Sequence, residues 1–277
     1  MQGSDLSRVR RSLLGFLDPR QTMLVAGKTP DRFQERLLLS TSKRVLLLCS
    51  RQIGKSEGVA AKVTYQTVYC PPAVVGITSD SQDHSKLLLA KAREYLRLLE
   101  GDVFHIVNES TERIDLSNGS YAVALPGTKK AVRGHSLTLG IVDEAAFTTE
   151  ELIRAFEPTL DATKGSLYAL TSAGEEPAGW FWRYFTQDGR FSEEDAPRLA
   201  KDEWERYIVP ATECPRVFSA AELDAKREKD PVGFAREYMC RFGGGKTQSK
   251  NPLLFPAFTD PAVAADLIGD VFSAGAA

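Results

Sequence analysis

Nowhere in this 277-residue chain does an apolar run approach the ~20 residues that a membrane-spanning helix needs. Charge of one sign is equally lacking: 35 Lys and Arg stand against 37 Asp and Glu, a formal net charge of −2. The global basicity that marks many nucleic-acid binders is therefore absent, and any contact with DNA has to be local, as a patch or a pore lining. Histidine is scarce, and His84, His105 and His135 have no metal-ligand spacing. The cysteines, Cys49, Cys70, Cys214 and Cys240, are far apart and form no Cys-x-x-Cys. That argues against a zinc site and a disulfide framework, and fits a reducing cytosol. The N-terminal stretch MQGSDLSRVRRSLLGFLDP is basic but has no long apolar segment and no small-residue cleavage site, so no secretory signal is expected.

What is present fits a soluble globular protein of one large or two small domains, with 43% hydrophobic and 26% charged residues. Strand-like apolar runs (RVLLLCS, AVVGITS, LTLGIVDEAAF, SLYALTSAG) are interspersed with helical patterns, the arrangement of an α/β fold with a largely parallel sheet. PDRFQERLLLS starts as a helix at Pro30-Asp31, and KSEGVAAKVTYQTVY must stop before Pro71-Pro72. In DHSKLLLAKAREYLRLLE, Leu88, Ala92, Tyr95 and Leu99 fall on one helical stripe. TERIDLSNGSYAVALPG reads as a hairpin turning at Asn118-Gly119. SEEDAPRLAKDEWER is expected to face solvent, and YIVPAT to form a further strand. Two short helices are expected in SAAELDAKREKDPVGFAREYMCRF, the first capped by Ser219 with Glu222.

Ligands of such sheets bind at the carboxyl ends of the strands. Three strand ends carry candidate chemistry. In CSRQIGKSEG, a strand runs into a loop ending in Gly54-Lys55-Ser56. This is the layout of a phosphate loop: backbone N–H groups converge on phosphate oxygens at a helix start, Lys55 reaches the β- and γ-phosphates, and Ser56 offers a hydroxyl to Mg²⁺. The first glycine of the usual pattern is replaced by Cys49. A second Gly-Lys-Thr at 245–247 follows no long strand, is soon followed by Pro252, and reads as linker. In LTLGIVDEAAF, Asp143 is placed to complete a Mg²⁺ site and Glu144 to polarise an attacking water; a plain acidic turn is the alternative. Thr171-Ser172-Ala173-Gly174 ends another strand, where small polar residues can sense a γ-phosphate or simply turn the chain. Two arginines are candidates for transition-state charge: Arg51 in the loop and Arg133, ten residues before Asp143. Each also fits a surface ion pair.

In order, SRQIGKS, VRGHSLTLGIVDEAAF and TSAG resemble the ATPase domain of large terminase subunits, the DNA-packaging motors of tailed double-stranded DNA phages. That family uses Arg-Gln before x-G-K-[ST], often with no first glycine, which makes Cys49 a family variant. The resemblance covers about residues 31–242. It implies a P-loop NTPase of the additional-strand, catalytic-glutamate type, with a mostly parallel central sheet flanked by helices and a small lid subdomain. The implied organisation is an N-terminal extension at 1–30, an ATPase core at 31–210, a helical lid at 211–242, and a linker and tail at 243–277. It implies ATP and Mg²⁺ as ligands. Ser50, Arg51, Gln52, Ile53, Gly54, Lys55 and Ser56 would bind ATP, with Ser56 and Asp143 on the metal. Glu144 would be the catalytic glutamate, Arg51 the loop arginine and Arg133 the arginine that reaches a neighbouring subunit's nucleotide in a ring. Thr171 to Gly174 would couple hydrolysis to movement, and Phe33-Gln34 resembles the motif whose glutamine reads adenine, though an ordinary helix residue fits Gln34 as well.

The resemblance further implies double-stranded DNA, a portal and a small terminase subunit as partners, and work in the infected bacterial cytoplasm while docked on a procapsid. Large terminases usually continue into an RNase H-type nuclease domain. Asp260, Asp266 and Asp270 stand in a short tail with no supporting sheet, so no nuclease activity is expected of this chain. Other readings are a helicase-like P-loop ATPase, a small-molecule kinase, and a nucleotide-binding assembly module without turnover. Helicases of the two-lobed type need a second lobe, Asp143-Glu144 favours water over another acceptor, and keeping both Lys55 and Glu144 argues for turnover.

Overall fold

Strand β1 (Arg44–Cys49) shows why its sequence carries no polar alternation. It lies between two parallel neighbours, β7 (Ser166–Thr171) and β8 (Trp204–Val209), and both its faces are covered. Val45, Leu47 and Cys49 enter one core layer, while Leu46 and Leu48 enter the other. A strand buried on both faces reads as a continuous apolar run, and each such side chain contributes about 1.5–3 kcal/mol. β7 divides the same way, Tyr168 and Leu170 to the first layer and Leu167 and Ala169 to the second.

The computed structural model describes residues 12–245 apart from Asp102 and Glu175. These residues fall in a single compact unit. Lys246-Thr247, the expected linker beyond them and the tail with Asp260, Asp266 and Asp270 lie outside the described residues. The remaining strands are β2 (Val74–Thr78), β3 (Ile106–Glu109), β4 (Arg113–Leu116), β5 (Tyr121–Ala124) and β6 (Leu139–Val142). The eight-stranded sheet has the order β3-β4-β5-β2-β6-β7-β1-β8. β3, β4 and β5 pair antiparallel, and every pairing from β5 to β8 is parallel. β7 therefore stands between the strand that feeds the phosphate loop and the strand that ends in Asp143-Glu144. That inserted strand is the expected additional-strand topology.

One sheet face is covered by α1 (Arg32–Leu39), α2 (Lys55–Tyr69) and α3 (Gln82–Leu99). The other is covered by α4 (Glu150–Asp161) and α5 (Gly179–Thr186). The expected stripe of α3 is buried throughout: Leu88, Ala92, Tyr95 and Leu99 are at most 3% exposed. Gly140 in β6 allows close helix packing, since a Cβ there would stand 2.7 Å from the Phe156 ring of α4. After β8 come α6 (Ala220–Lys229) and α7 (Pro231–Glu237). Ser219 and Glu222 form the expected capping box of α6. Leu223, Phe234 and Ala211 make a small core of their own.

Some elements depart from the sequence reading. Helix α4 contains Pro158, which argues against a helix, yet its amphipathic face buries Leu152, Phe156 and Leu160. α5 is short, five of its eight residues are aromatic, and Arg183 is the one charged residue to mark its outer face, too little to reveal a helical period. β3 is a short, mostly exposed edge strand. The charged 192–206 segment is not simply solvent-facing. Arg206 is buried because its guanidinium donates to the carbonyl oxygens of Tyr184, Phe185 and Trp204 and to the carboxylate of Asp202, so the charge enters fully hydrogen-bonded. Glu193 in the same segment is also buried.

Candidate functional site

The missing first glycine has a structural explanation. Cys49 is still in the sheet, paired with Val209 of β8, and its Sγ lies 3.6 Å from the Thr171 carbonyl oxygen. An extended residue needs no left-handed conformation, so a Cβ costs nothing there. Burial pushes the Cys49 thiol up to about 12, which makes it a space-filling group and no nucleophile. The turn begins one residue later. Ser50 N donates to Val209 O at 2.9 Å, Ile53 is buried, and Gly54 caps α2 with φ +89°. That φ is one only glycine adopts freely, and a Cβ on Gly54 would meet Gln34 Nε2 at 2.9 Å.

Gln34 is 2% exposed. Its Nε2 donates to Gly54 O at 2.8 Å, and its Oε1 accepts from Asp31 N at 2.8 Å. Both ends of the amide are thus engaged, one in capping α1 and one in holding the phosphate loop. This differs from the expected contact with adenine: the side chain is packed behind the loop and does not line the open cleft.

Lys55, Asp143 and Glu144 converge across β7. Lys55 Nζ is 2.8 Å from Asp143 Oδ1 and 2.6 Å from Glu144 Oε1. Burial works against the ammonium, but the Asp143 and Glu144 charges outweigh it and raise the Lys55 pKa above the ordinary lysine value. Asp143 is anchored by its own N–H on Thr78 O at 2.8 Å, and its Oδ1 accepts from Glu144 N at 3.0 Å. Glu144 is held at φ +48°, a left-handed conformation that costs a non-glycine residue ~1 kcal/mol or more and recurs at functional sites. Its Oε2 is buried without a hydrogen-bond partner. The Ser172 hydroxyl is also buried and unpartnered. Buried polar atoms are nearly always paired, so two orphans in one cleft mark a place for a polar ligand.

Lys55, Glu144 and Ser172 line a cleft of about 680 Å³, within the range of small-molecule sites. Ser50, Arg51, Gln52, Gly54, Lys55, Ser56, Glu144 and Ser172 all face it. Arg51 is pinned to α7: its N–H donates to Glu237 O at 3.1 Å and its Nε pairs with the Glu237 carboxylate at 2.6 Å. The expected lid segment therefore grips the loop directly. Thr171 accepts from Ala146 N at 3.3 Å, joining its strand end to the turn after Glu144. Gly174 O accepts from Gly243 N at 3.2 Å, tying the same loop to the segment after α7. Ala173 is buried in the second core layer. Arg133 is not brought to the cleft. It ends a one-turn helix, Lys129–Arg133, and is solvent-exposed.

The cleft also holds residues not singled out from the sequence: Glu57, Asp80, His84, Lys91 and Phe147. Asp80 Oδ1 lies 2.7 Å from His84 Nδ1, and that contact is the main cause of a raised His84 pKa. The signal was the position of SDSQDH at the carboxyl end of a second buried strand, where ligands gather. Among the described residues no group of three or more His, Cys, Asp or Glu side chains could hold a metal. The oxygen donors at Ser56 and Asp143 suit Mg²⁺, which binds through few protein ligands plus phosphate and water.

No protein-family profile matches the chain. The terminase large subunits of Thermus phage G20c and Thermus virus P23-45 are each 25% identical to it over 184 residues, 59% of this chain and 37% of theirs. The chain thus spans little more than a third of the length of the curated relatives it matches. The large terminase ATPase domain of Thermus phage P74-26 superimposes with a TM-score of 0.66 at 20% identity, over 79% of this chain and 96% of that domain. The HK97 bacteriophage large terminase gives 0.62 at 16% identity, over 83% and 55%. The large terminase of another, thermophilic bacteriophage, bound to ADP, gives 0.58 at 10% identity, over 76% and 52%. The chain is similar to large terminase subunits in sequence and shares the α/β P-loop fold of their ATPase domains.

Proposed function

We propose that this chain is the ATP-hydrolysing motor domain of a phage large terminase, driving double-stranded DNA into a procapsid. The observation that carries the reading is the convergence of Lys55 on Asp143 and Glu144, at 2.8 and 2.6 Å, across one inserted strand. The relatives are named as large terminase subunits, and one related structure holds ADP.

In this reading the α2 N-terminus and the loop from Ser50 to Ser56 bind the triphosphate. Lys55 turns from the two carboxylates to the phosphates, and this frees Glu144 to orient a water against the γ-phosphorus. Ser56 and Asp143 would hold Mg²⁺, which supplies neutralisation of phosphate charge when bound. Ser172 hydrogen-bonds the γ-phosphate, and its loss on hydrolysis passes through Thr171 to Gly174 toward the segment after α7. Gln34 sets the loop's shape. Arg51, tied to Glu237, links loop and lid, and 211–242 acts as the lid. Arg133, exposed and outside its own cleft, serves a neighbouring subunit in a ring. Portal and small terminase subunit are the expected further partners, and the bacterial host cytoplasm the expected place of work. Among the described residues no helix is long and apolar enough to cross a membrane.

The test is steady-state ATP hydrolysis against protein concentration, with and without double-stranded DNA, beside Lys55→Ala. A specific rate that rises with concentration and vanishes in the variant is expected. Turnover that does not depend on Lys55 would sink the proposal.

A further inference from the structure

Glu57 sits in the first turn of α2, two residues after Lys55, and lines the cleft. A helix N-terminus favours anions, so a fixed carboxylate there competes with the phosphates the loop is proposed to hold. The carboxylate is held on both oxygens. Its Oε1 pairs with Lys91 Nζ at 2.8 Å. Its Oε2 pairs with Lys28 Nζ at 2.6 Å and accepts from the Tyr95 hydroxyl at 2.9 Å. Lys28 also stands 5.1 Å above the Tyr95 ring. Contact with two ammonium groups and a phenol hydroxyl favours the ionised carboxylate.

The donors come from two separate parts of the chain, the segment before α1 and helix α3, and they meet on the carboxylate of α2. The two ammonium groups outweigh the one carboxylate, so the cage carries net positive charge, and Lys91 and Glu57 line the cleft with the phosphate loop. Nothing else in the proposed chemistry calls on these residues.

We infer that Lys28 and Lys91 are positioning residues for phosphate binding, acting through Glu57 by engaging both oxygens of its carboxylate and offsetting its charge. This rests on the nucleotide reading above. The ligand class it concerns is the polyphosphate, and the effect should grow with phosphate charge.

The experiment is equilibrium binding of ATP, ADP and adenosine to the full chain and to Lys91→Ala, Lys28→Ala, Glu57→Gln and Glu57→Gln/Lys91→Ala. Losing one unit of net positive charge at the site's edge is worth about tenfold in affinity. Lys91→Ala should weaken ATP about tenfold, ADP less and adenosine hardly at all. Lys28→Ala should act in the same direction. The double variant should return to within about twofold of the unmodified chain, because removing the carboxylate removes the need for its cage. Unchanged ATP affinity in Lys91→Ala overturns the inference alone. So does a loss equal for ATP and adenosine, or one that Glu57→Gln does not relieve, since packing or direct ligand contact would then explain it. If the unmodified chain shows no Lys55-dependent ATP binding, both this inference and the nucleotide reading fall.

Discussion

Lys55 Nζ stands 2.6 Å from Glu144 Oε1, so the phosphate-loop lysine holds the residue proposed to activate water. One ammonium at the start of α2 pairs with two adjacent carboxylates at the end of β6. Under the proposed function a triphosphate would compete for that ammonium and free Glu144 to act on water.

Glu144→Gln keeps a side chain of the same shape but cannot accept a proton. ATP binding should persist, and turnover should fall by ~10²–10⁴-fold, the usual weight of a general base. Binding and single-turnover hydrolysis measured on the same preparation separate the two effects. Undiminished hydrolysis would remove Glu144 from the role.

Gln34→Ala removes the contact with Gly54 O, which is 2.8 Å long here. Because the amide acts on the loop backbone, ATP and GTP affinities should fall together, by about five- to tenfold for one lost buried hydrogen bond. A change in the ATP-to-GTP ratio would instead return Gln34 to the adenine-reading role.

Arg133→Ala should leave ATP affinity unchanged, because the exposed Arg133 does not line its own cleft. Turnover should drop by ~10³-fold or more if the guanidinium completes a neighbour's site. Mixing Arg133→Ala with Glu144→Gln chains should restore part of the rate. No recovery, with assembly confirmed by light scattering, would count against action in trans.

Arg206→Met should destabilise the fold by at least about 3 kcal/mol, because it orphans buried carbonyl oxygens and the Asp202 carboxylate. In the native chain, burial of Asp202 is outweighed by Arg206 and its other donors, and the carboxyl pKa falls to about 2. A depressed carboxyl contributes stability above its unfolded value, and that contribution is lost as pH falls through the folded one. The gap between native and variant chains in urea unfolding should therefore narrow between about pH 4 and pH 2. A pH-independent gap would mean that packing alone explains the loss.

Much of the site was legible because phosphate loops and strand-terminal acids are local in sequence. Gly54-Lys55-Ser56, Asp143-Glu144 and Thr171 to Gly174 each follow an apolar run, and a parallel sheet delivers all such ends to one edge. Glu57, Asp80, His84 and Lys91 were harder to find. Their residue types are ordinary for helix starts and solvated helix faces, and only the packing of α2 against α3 gives them a shared cleft. Pro158 argues locally against α4, yet the buried amphipathic face prevails. Arg206 was read as surface because charge is usually solvated, whereas here main-chain carbonyl oxygens replace the water.

The sequence by itself determined the class of the fold, the order of its motifs and the residues proposed to meet phosphate, since hydrophobic period and glycine placement act over a few residues. Tertiary structure decided the rest. It put β7 between the loop and the acids, turned Gln34 onto the loop backbone, left Arg133 outside its own cleft and closed Lys28 and Lys91 on Glu57. Each of these depends on which distant segments share a surface. Strand order and helix packing set that by burying apolar area over the whole sheet, a sum that no short stretch of sequence contains.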